Sequence, residues 1–270
     1  MMQSINALSQ APDVESWLAS SHEPHILHIF DRACNLINER GEVLSIVTPE
    51  IGDGPFNLVT EDNVIFSRQL HIESPVSMTG SRLNVGNLTI DTDTAQLWNP
   101  CPDWAILHNH RDKIAHQVQQ LRFSNYKFSN ALPSSLVAAD LRSSIATART
   151  LAGLGVGLTP SGDDFMMGAI YATWIIHPPE TAGVLADAIA NTAASLTTSL
   201  SAAWLRAARM GEAGILWHEF LDAFLFHDPV RIQETLKNIL AVGETSGVDA
   251  LSGFISVFKS WRGEAGSKHG

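Results

Sequence analysis

The stretch that most constrains this chain is Gly153-Leu154-Gly155-Val156-Gly157-Leu158-Thr159-Pro160-Ser161-Gly162-Asp163-Asp164, which runs straight into the apolar segment Phe165 to Ile176. Glycines this dense free the backbone for positive φ and for close approach to a ligand. Pro160 suits the first turn of a helix. Thr159 or Ser161 supplies an N-cap, and Ser161 with Asp164 makes a variant of the capping box. A glycine loop therefore feeds a helix N-terminus, where N–H groups and the helix dipole favour an anion. No lysine follows the loop, so it is not a Walker phosphate loop.

Adjacent acids at that position suit two kinds of partner. Backbone donors hold a phosphate or carboxylate, while Asp163 and Asp164 accept hydrogen bonds from the NH2 of an amide or carbamoyl group. Magnesium is the candidate ion if these two aspartates bind a metal. The plainer role, complementing the helix dipole, is worth only a few tenths of a kcal/mol.

A second segment repeats the pattern. Ser161-Gly162-Asp163-Asp164 with Gly168 has the form SG-x-D-xxx-G, and so does Ser246-Gly247-Val248-Asp249 with Gly253. In each, the later glycine lies one turn past the aspartate, where it permits close helix packing. The expectation is two helix N-termini converging on one site, with Asp164 and Asp249 in equivalent roles. Between them, Asn191 to Leu205 is rich in Ser and Thr, which are mediocre helix formers. Read as one helix, it places Asn191, Ser195, Thr198 and Ala202 on a polar stripe.

Around these motifs the chain divides. Residues 1–25 read as a lead-in with a short helix near Asp13 to Ser20. Residues 26–102 carry short apolar runs separated by Gly, Asn and Asp: Ile26–Phe30, Val43–Val47, Phe56–Val59, Val64–Phe66, Pro75–Met78, Arg82–Val85, Leu88–Ile90 and Ala95–Trp98. Gly80-Ser81 and Gly86-Asn87 mark hairpin turns. Residues 103–270 read as helical, over about 103–121, 134–152, 163–176, 180–210, 212–226, 229–242 and 247–260. The predicted class is α+β: an N-terminal antiparallel β barrel or sandwich, then a larger all-α region carrying the glycine loop. In the β region, the turn Gly54-Pro55-Phe56-Asn57 is the stretch able to present an amide, that of Asn57, to a cleft.

Composition narrows the partners. A net charge of −11 leaves no basic stripe for nucleic acid. No apolar run is long enough to span a bilayer, and the N-terminus lacks the features of a signal peptide. Two cysteines without metal spacing fit a reducing compartment, so the expected location is cytoplasmic. Low charge with abundant Ala, Leu and Trp points to apolar surface covered by a partner, either another subunit or a second copy of the chain.

At Gly155-x-Gly157-Leu158-Thr159-Pro160-Ser161-Gly162-Asp163-Asp164-Phe165 the sequence resembles a bacterial family with a G-L-T-P-S-G-D-D core. One branch of that family is the AllH subunit of oxamate carbamoyltransferase, from anaerobic allantoin breakdown. The likeness extends to Thr198-x-x-Ser201-x-x-x-Leu205, to Gly211-Glu212, to Gly243-x-Thr245-Ser246-Gly247-x-Asp249 and to Gly54-Pro55-Phe56-Asn57.

The resemblance implies one subunit of a multi-subunit carbamoyltransferase that converts oxalurate and phosphate into oxamate and carbamoyl phosphate. It implies catalytic roles for Asp163, Asp164 and Asp249. It also implies contacts to a small anionic or carbamoyl-bearing substrate from Gly155, Gly157, Thr159, Ser161, Gly162, Thr198, Ser201, Thr245, Ser246, Gly247 and Asn57. Arginine is scarce near the motif, so cations come from Arg149, Arg206 or Arg209, or from a partner subunit. Two other readings stay open: a stand-alone magnesium-dependent phosphotransferase, and a non-catalytic ligand-sensing or scaffolding subunit.

Overall fold

The structure, a computed structural model, describes residues 3–121, 123, 130–226 and 228–261. It comprises two compact units, residues 1–100 and 101–270.

The first unit is a nine-stranded mixed sheet curled into a nearly closed barrel. The strands are β1 (Gln3–Gln10), β2 (His25–Ile29), β3 (Ala33–Ile37), β4 (Val43–Val47), β5 (Asn57–Thr60), β6 (Val76–Thr79), β7 (Arg82–Val85), β8 (Leu88–Asp91) and β9 (Gln96–Leu97). Their order is β2-β3-β4-β5-β1-β8-β7-β6, with β9 beside β1. Helix α1 (Pro12–Ser20) and the single turn α2 (Phe66–Gln69) complete the unit. Its core gathers Leu36, Leu44, Ile46, Leu58, Phe66, Leu83 and Ile90.

The sequence reading holds for the β class and differs in detail. The sheet is mixed: β1 runs parallel to β8 and β9, and β4 parallel to β5. The assumed lead-in supplies β1, which sits inside the sheet between β5 and β8. Its composition, QSINALSQ, buries only Ile5 and Ala7 among its first six residues. The strand is held by ladders on both edges rather than by an apolar signal of its own. Strand β3 also escaped notice, and Val64–Phe66 leads into the turn α2 instead of forming a strand.

The second unit is all helical: α3 (Trp104–Asn109), α4 (Arg111–Gln120), α5 (Leu132–Val137), α6 (Leu141–Leu151), α7 (Ser161–Ile176), α8 (Pro179–Ala193), α9 (Ser199–Arg209), α10 (Ile215–Leu225), α11 (Pro229–Leu240) and α12 (Ser246–Ser260). Helix α7 is apolar all round, as its sequence requires for a helix enclosed by others. It packs most extensively against α12. Three expected helices are broken, the 103–121 helix at His110 between α3 and α4. The 134–152 helix divides at Ala139, which has φ of 52°. The 180–210 helix divides at 194–198, where Ser and Thr side chains compete for backbone hydrogen bonds. There Thr198 accepts from the Ser201 N–H at 3.1 Å and starts α9.

Candidate functional site

The two SG-x-D-xxx-G segments form the N-termini of α7 and α12, and the structure joins them. The Thr159 and Ser246 hydroxyls are hydrogen bonded at 2.8 Å. The glycines interlock reciprocally. A Cβ on Gly168 would sit 1.8 Å from the carbonyl oxygen of Ala250, the residue after Asp249. A Cβ on Gly253 would sit 1.9 Å from that of Phe165, the residue after Asp164. The earlier glycines match as well. A Cβ on Gly162 would lie 2.1 Å from the Leu151 carbonyl oxygen, and one on Gly247 would lie 1.8 Å from that of Ile239. Each therefore packs against the end of the helix that precedes its loop. Gly162 donates to Leu154 and Gly247 to Val242, while the amides of Asp164 and Asp249 bond Pro160 and Thr245 in turn. The convergence expected from the repeated pattern is present.

The capping differs from expectation. Pro160 is the N-cap of α7, with no side-chain cap bond, because the available side chains are engaged elsewhere. The Thr159 hydroxyl turns to Ser246. Asp163 reaches back into the loop, where its Oδ1 accepts from the Gly153 amide at 3.0 Å. Its Oδ2 accepts a short hydrogen bond from the Thr197 hydroxyl. Burial raises the Asp163 carboxyl above the usual range, and these donors, with Ser201 nearby, partly oppose the rise. Asp163 thus fastens the glycine loop to the 194–198 linker. Thr198 adds a second fastening by donating to the Leu158 carbonyl at 2.5 Å.

Thr197 is a residue of this cluster that the sequence reading missed. Its signal was the hydroxyl density of residues 195–199, read there as a helix stripe. Replacing Thr197 with valine keeps the shape and leaves one buried Asp163 oxygen without its donor. The expected cost is about 1–3 kcal/mol, read as a fall in Tm. An unchanged Tm would show that the contact contributes nothing.

Asp164 differs from its neighbour. It is 6% exposed, and its Oδ2 is buried without a hydrogen-bond partner among the described residues. Asp249 is fully buried on the facing helix. Burial pushes the Asp164 carboxyl up to about 7. The nearby hydroxyls of Ser246 and Thr159 lower it, while the charges of Asp249 and Asp163 raise it. The groups that set its ionisation are therefore two hydroxyls and two acids, with no cation among them.

The loop supplies donors. Gly153, Gly155 and Gly157 have φ of 68°, 130° and 94°, backbone that favours glycine. Among the described residues, the amides of Gly155, Val156, Gly157, Leu158 and Thr159 have no protein acceptor. Val156 at the tip is 93% exposed.

Other candidate residues have structural duties or are exposed. Thr245 is the N-cap residue of α12, and Ser161 opens α7 beside Gly155. Ser201 is buried in the first turn of α9. Asn57 belongs to the β unit, where its amide nitrogen donates to the Gly52 carbonyl at 2.9 Å and closes the turn. Asn191 donates to Asp187, and Arg209 pairs with the same aspartate at 2.9 Å. Arg149 and Arg206 are exposed. Among the described residues no group of three or more His, Cys, Asp or Glu side chains is placed to hold a metal ion. Nor is any helix among them long and apolar enough to cross a membrane.

No solved structure matches the chain. Residues 6–97 match the family model described as the AllH family N-terminal domain. Residues 151–258, which contain both SG-x-D segments, match the model described as oxamate carbamoyltransferase subunit AllH. The two matches cover most of the chain, and the protein belongs to the AllH family of oxamate carbamoyltransferase subunits.

Proposed function

We propose that the joined N-termini of α7 and α12 form the carbamoyl-transfer site of this subunit, acting on oxalurate and phosphate to give oxamate and carbamoyl phosphate. One observation carries the reading: among the described residues the amides of residues 155–159 have no protein acceptor, and the loop they form ends at Thr159, whose hydroxyl bonds Ser246 and acts on Asp164, near the charge of Asp249. The amides of residues 155–159 and the α7 dipole suit the phosphate. The carboxyl groups suit the nitrogen-bearing end of the substrate, whose N–H groups need acceptors. Holding both reactants in line converts a bimolecular encounter into an ordered one, a large part of the catalysis. Asp163 and Thr198 act by fixing the loop.

The site is rich in acids and amide donors but lacks a cation acting on Asp164. A partner subunit that contributes arginine or lysine to the anionic substrates answers that lack.

The test is reconstitution with the partner subunits and an assay of oxalurate phosphorolysis. Gly157→Ala burdens a residue at φ of 94° without meeting any neighbour within 4 Å, so its effect is on loop shape. It is expected to lower kcat/KM for phosphate by about tenfold, a loss of about 1.4 kcal/mol, with a smaller effect on KM for oxalurate. Equal losses for the two substrates, or none, would remove the loop from phosphate binding.

A further inference from the structure

Asp164 is nearly fully buried, and its Oδ2 has no hydrogen-bond partner among the described residues. Asp163 has donors on both oxygens. A carboxyl group held away from water, with another acid nearby, keeps its proton more readily than one in water. The Asp164 carboxyl, pushed up to about 7 by burial, agrees with that geometry. A buried carboxylic acid with a free oxygen is a proton donor awaiting an acceptor.

We propose that Asp164, through Oδ2, is the general acid that protonates the leaving amide nitrogen, and that the Asp249 carboxylate takes the proton given up by the attacking phosphate. This role rests on carbamoyl transfer being the reaction of the site. A phosphate oxygen bonds to the carbamoyl carbon, and the bond from that carbon to the oxamate nitrogen breaks. The electron pair of the broken bond takes the Asp164 proton, which gives the oxamate NH2 group. Hydrogen phosphate loses its proton to Asp249. The proton then returns from Asp249 to Asp164 within the pair, so the turnover balances without any outside acid or base. An amide anion is a very poor leaving group, and an enzyme of this kind needs a donor at that nitrogen.

Two measurements test the role. In the full-length protein, infrared spectroscopy should detect the C=O stretch of a protonated carboxyl at pH 6. That band should fade with a midpoint near pH 7 and be absent from Asp164→Asn. In the reconstituted enzyme, Asp164→Asn should lower kcat for oxalurate phosphorolysis by about 10²–10⁴-fold. Its KM should change little, because asparagine still donates a hydrogen bond. The wild-type loss of kcat above pH 7 should be missing from the variant's profile. An absent infrared band, or a variant that keeps more than a tenth of wild-type kcat, overturns the acid role while leaving carbamoyl transfer standing. A wild-type complex that fails to turn over oxalurate removes the reaction itself, and the acid role with it.

Discussion

Gly253→Ala is expected to destabilise the helical unit by about 3–5 kcal/mol, and Gly168→Ala by a similar amount. The added Cβ would meet the Phe165 carbonyl oxygen at 1.9 Å in the first case and the Ala250 carbonyl oxygen at 1.8 Å in the second. Carbon and carbonyl oxygen in contact lie about 3.3–3.6 Å apart. Relief therefore requires α7 and α12 to part by more than an ångström, since both partners are backbone and neither can rotate away. Parting two central helices opens a seam between Phe165, Ala169, Ala250, Leu251 and Phe254, all buried in one core. Overpacking usually costs about 1–3 kcal/mol, and voids in the same place add to it.

The same movement would pull Thr159 from Ser246 and Asp164 from Asp249, so activity should fall with stability. Gly183→Ala is the control. Its Cβ would meet only Trp174, at 3.6 Å, an ordinary contact. That change in α8 should be neutral or stabilising by up to about 1 kcal/mol, from helix propensity. Urea unfolding of the three variants decides the matter. A Gly253→Ala protein within about 1 kcal/mol of wild type would mean that the interlock is not close-packed.

Asp164→Asn is expected to become progressively more stable than wild type as pH rises from 5 to 8. The folded-state carboxyl stands at about 7, against 3.8 for an ordinary aspartate. The folded protein thus binds a proton that the unfolded chain has already lost between those values. The stability this group contributes is full below about pH 4 and is lost as pH rises through 7. A difference of about three pH units corresponds to about 4 kcal/mol for a buried acid, as an upper bound. Asparagine has no ionisation to suffer and escapes the loss. The difference in Tm between variant and wild type should therefore open in favour of the variant as pH rises from 5, with most of the change between 5 and 7 and a plateau by pH 8. A constant difference over that range would show that Asp164 ionises without cost.

The two effects of Asp164→Asn point in opposite directions: greater stability at pH 8 and a large loss of turnover. That opposition is common where a site holds a charge or a proton in a setting that folding alone would not choose. It also separates a working acid from a structural one, whose removal would lower both.

How much was legible beforehand follows from which interactions are local. The glycine loop, the helix it feeds and the second SG-x-D segment were all readable, because φ preference and 3.6-residue periodicity act within a few residues. The α+β class was readable from the shift between short apolar runs and long helical ones. Strand β1 was not, because a strand paired on both edges can fold with little apolar content of its own. Nor was the break at 194–198, where Thr198 caps a new helix and Thr197 reaches Asp163, 34 residues away in sequence.

By itself the sequence determined that two helix N-termini bear aspartates at matching positions, and that each is followed by a glycine on its packing face. It could not rank those acids, since Asp163 and Asp164 are neighbours of one residue type. Tertiary structure separated them. The turn of the helix aims Asp163 at the loop and its donors, and it buries Asp164 where the charge of Asp249 acts on it. Proton affinity is set by desolvation and by charges brought near in space, and neither exists until the chain has closed around them.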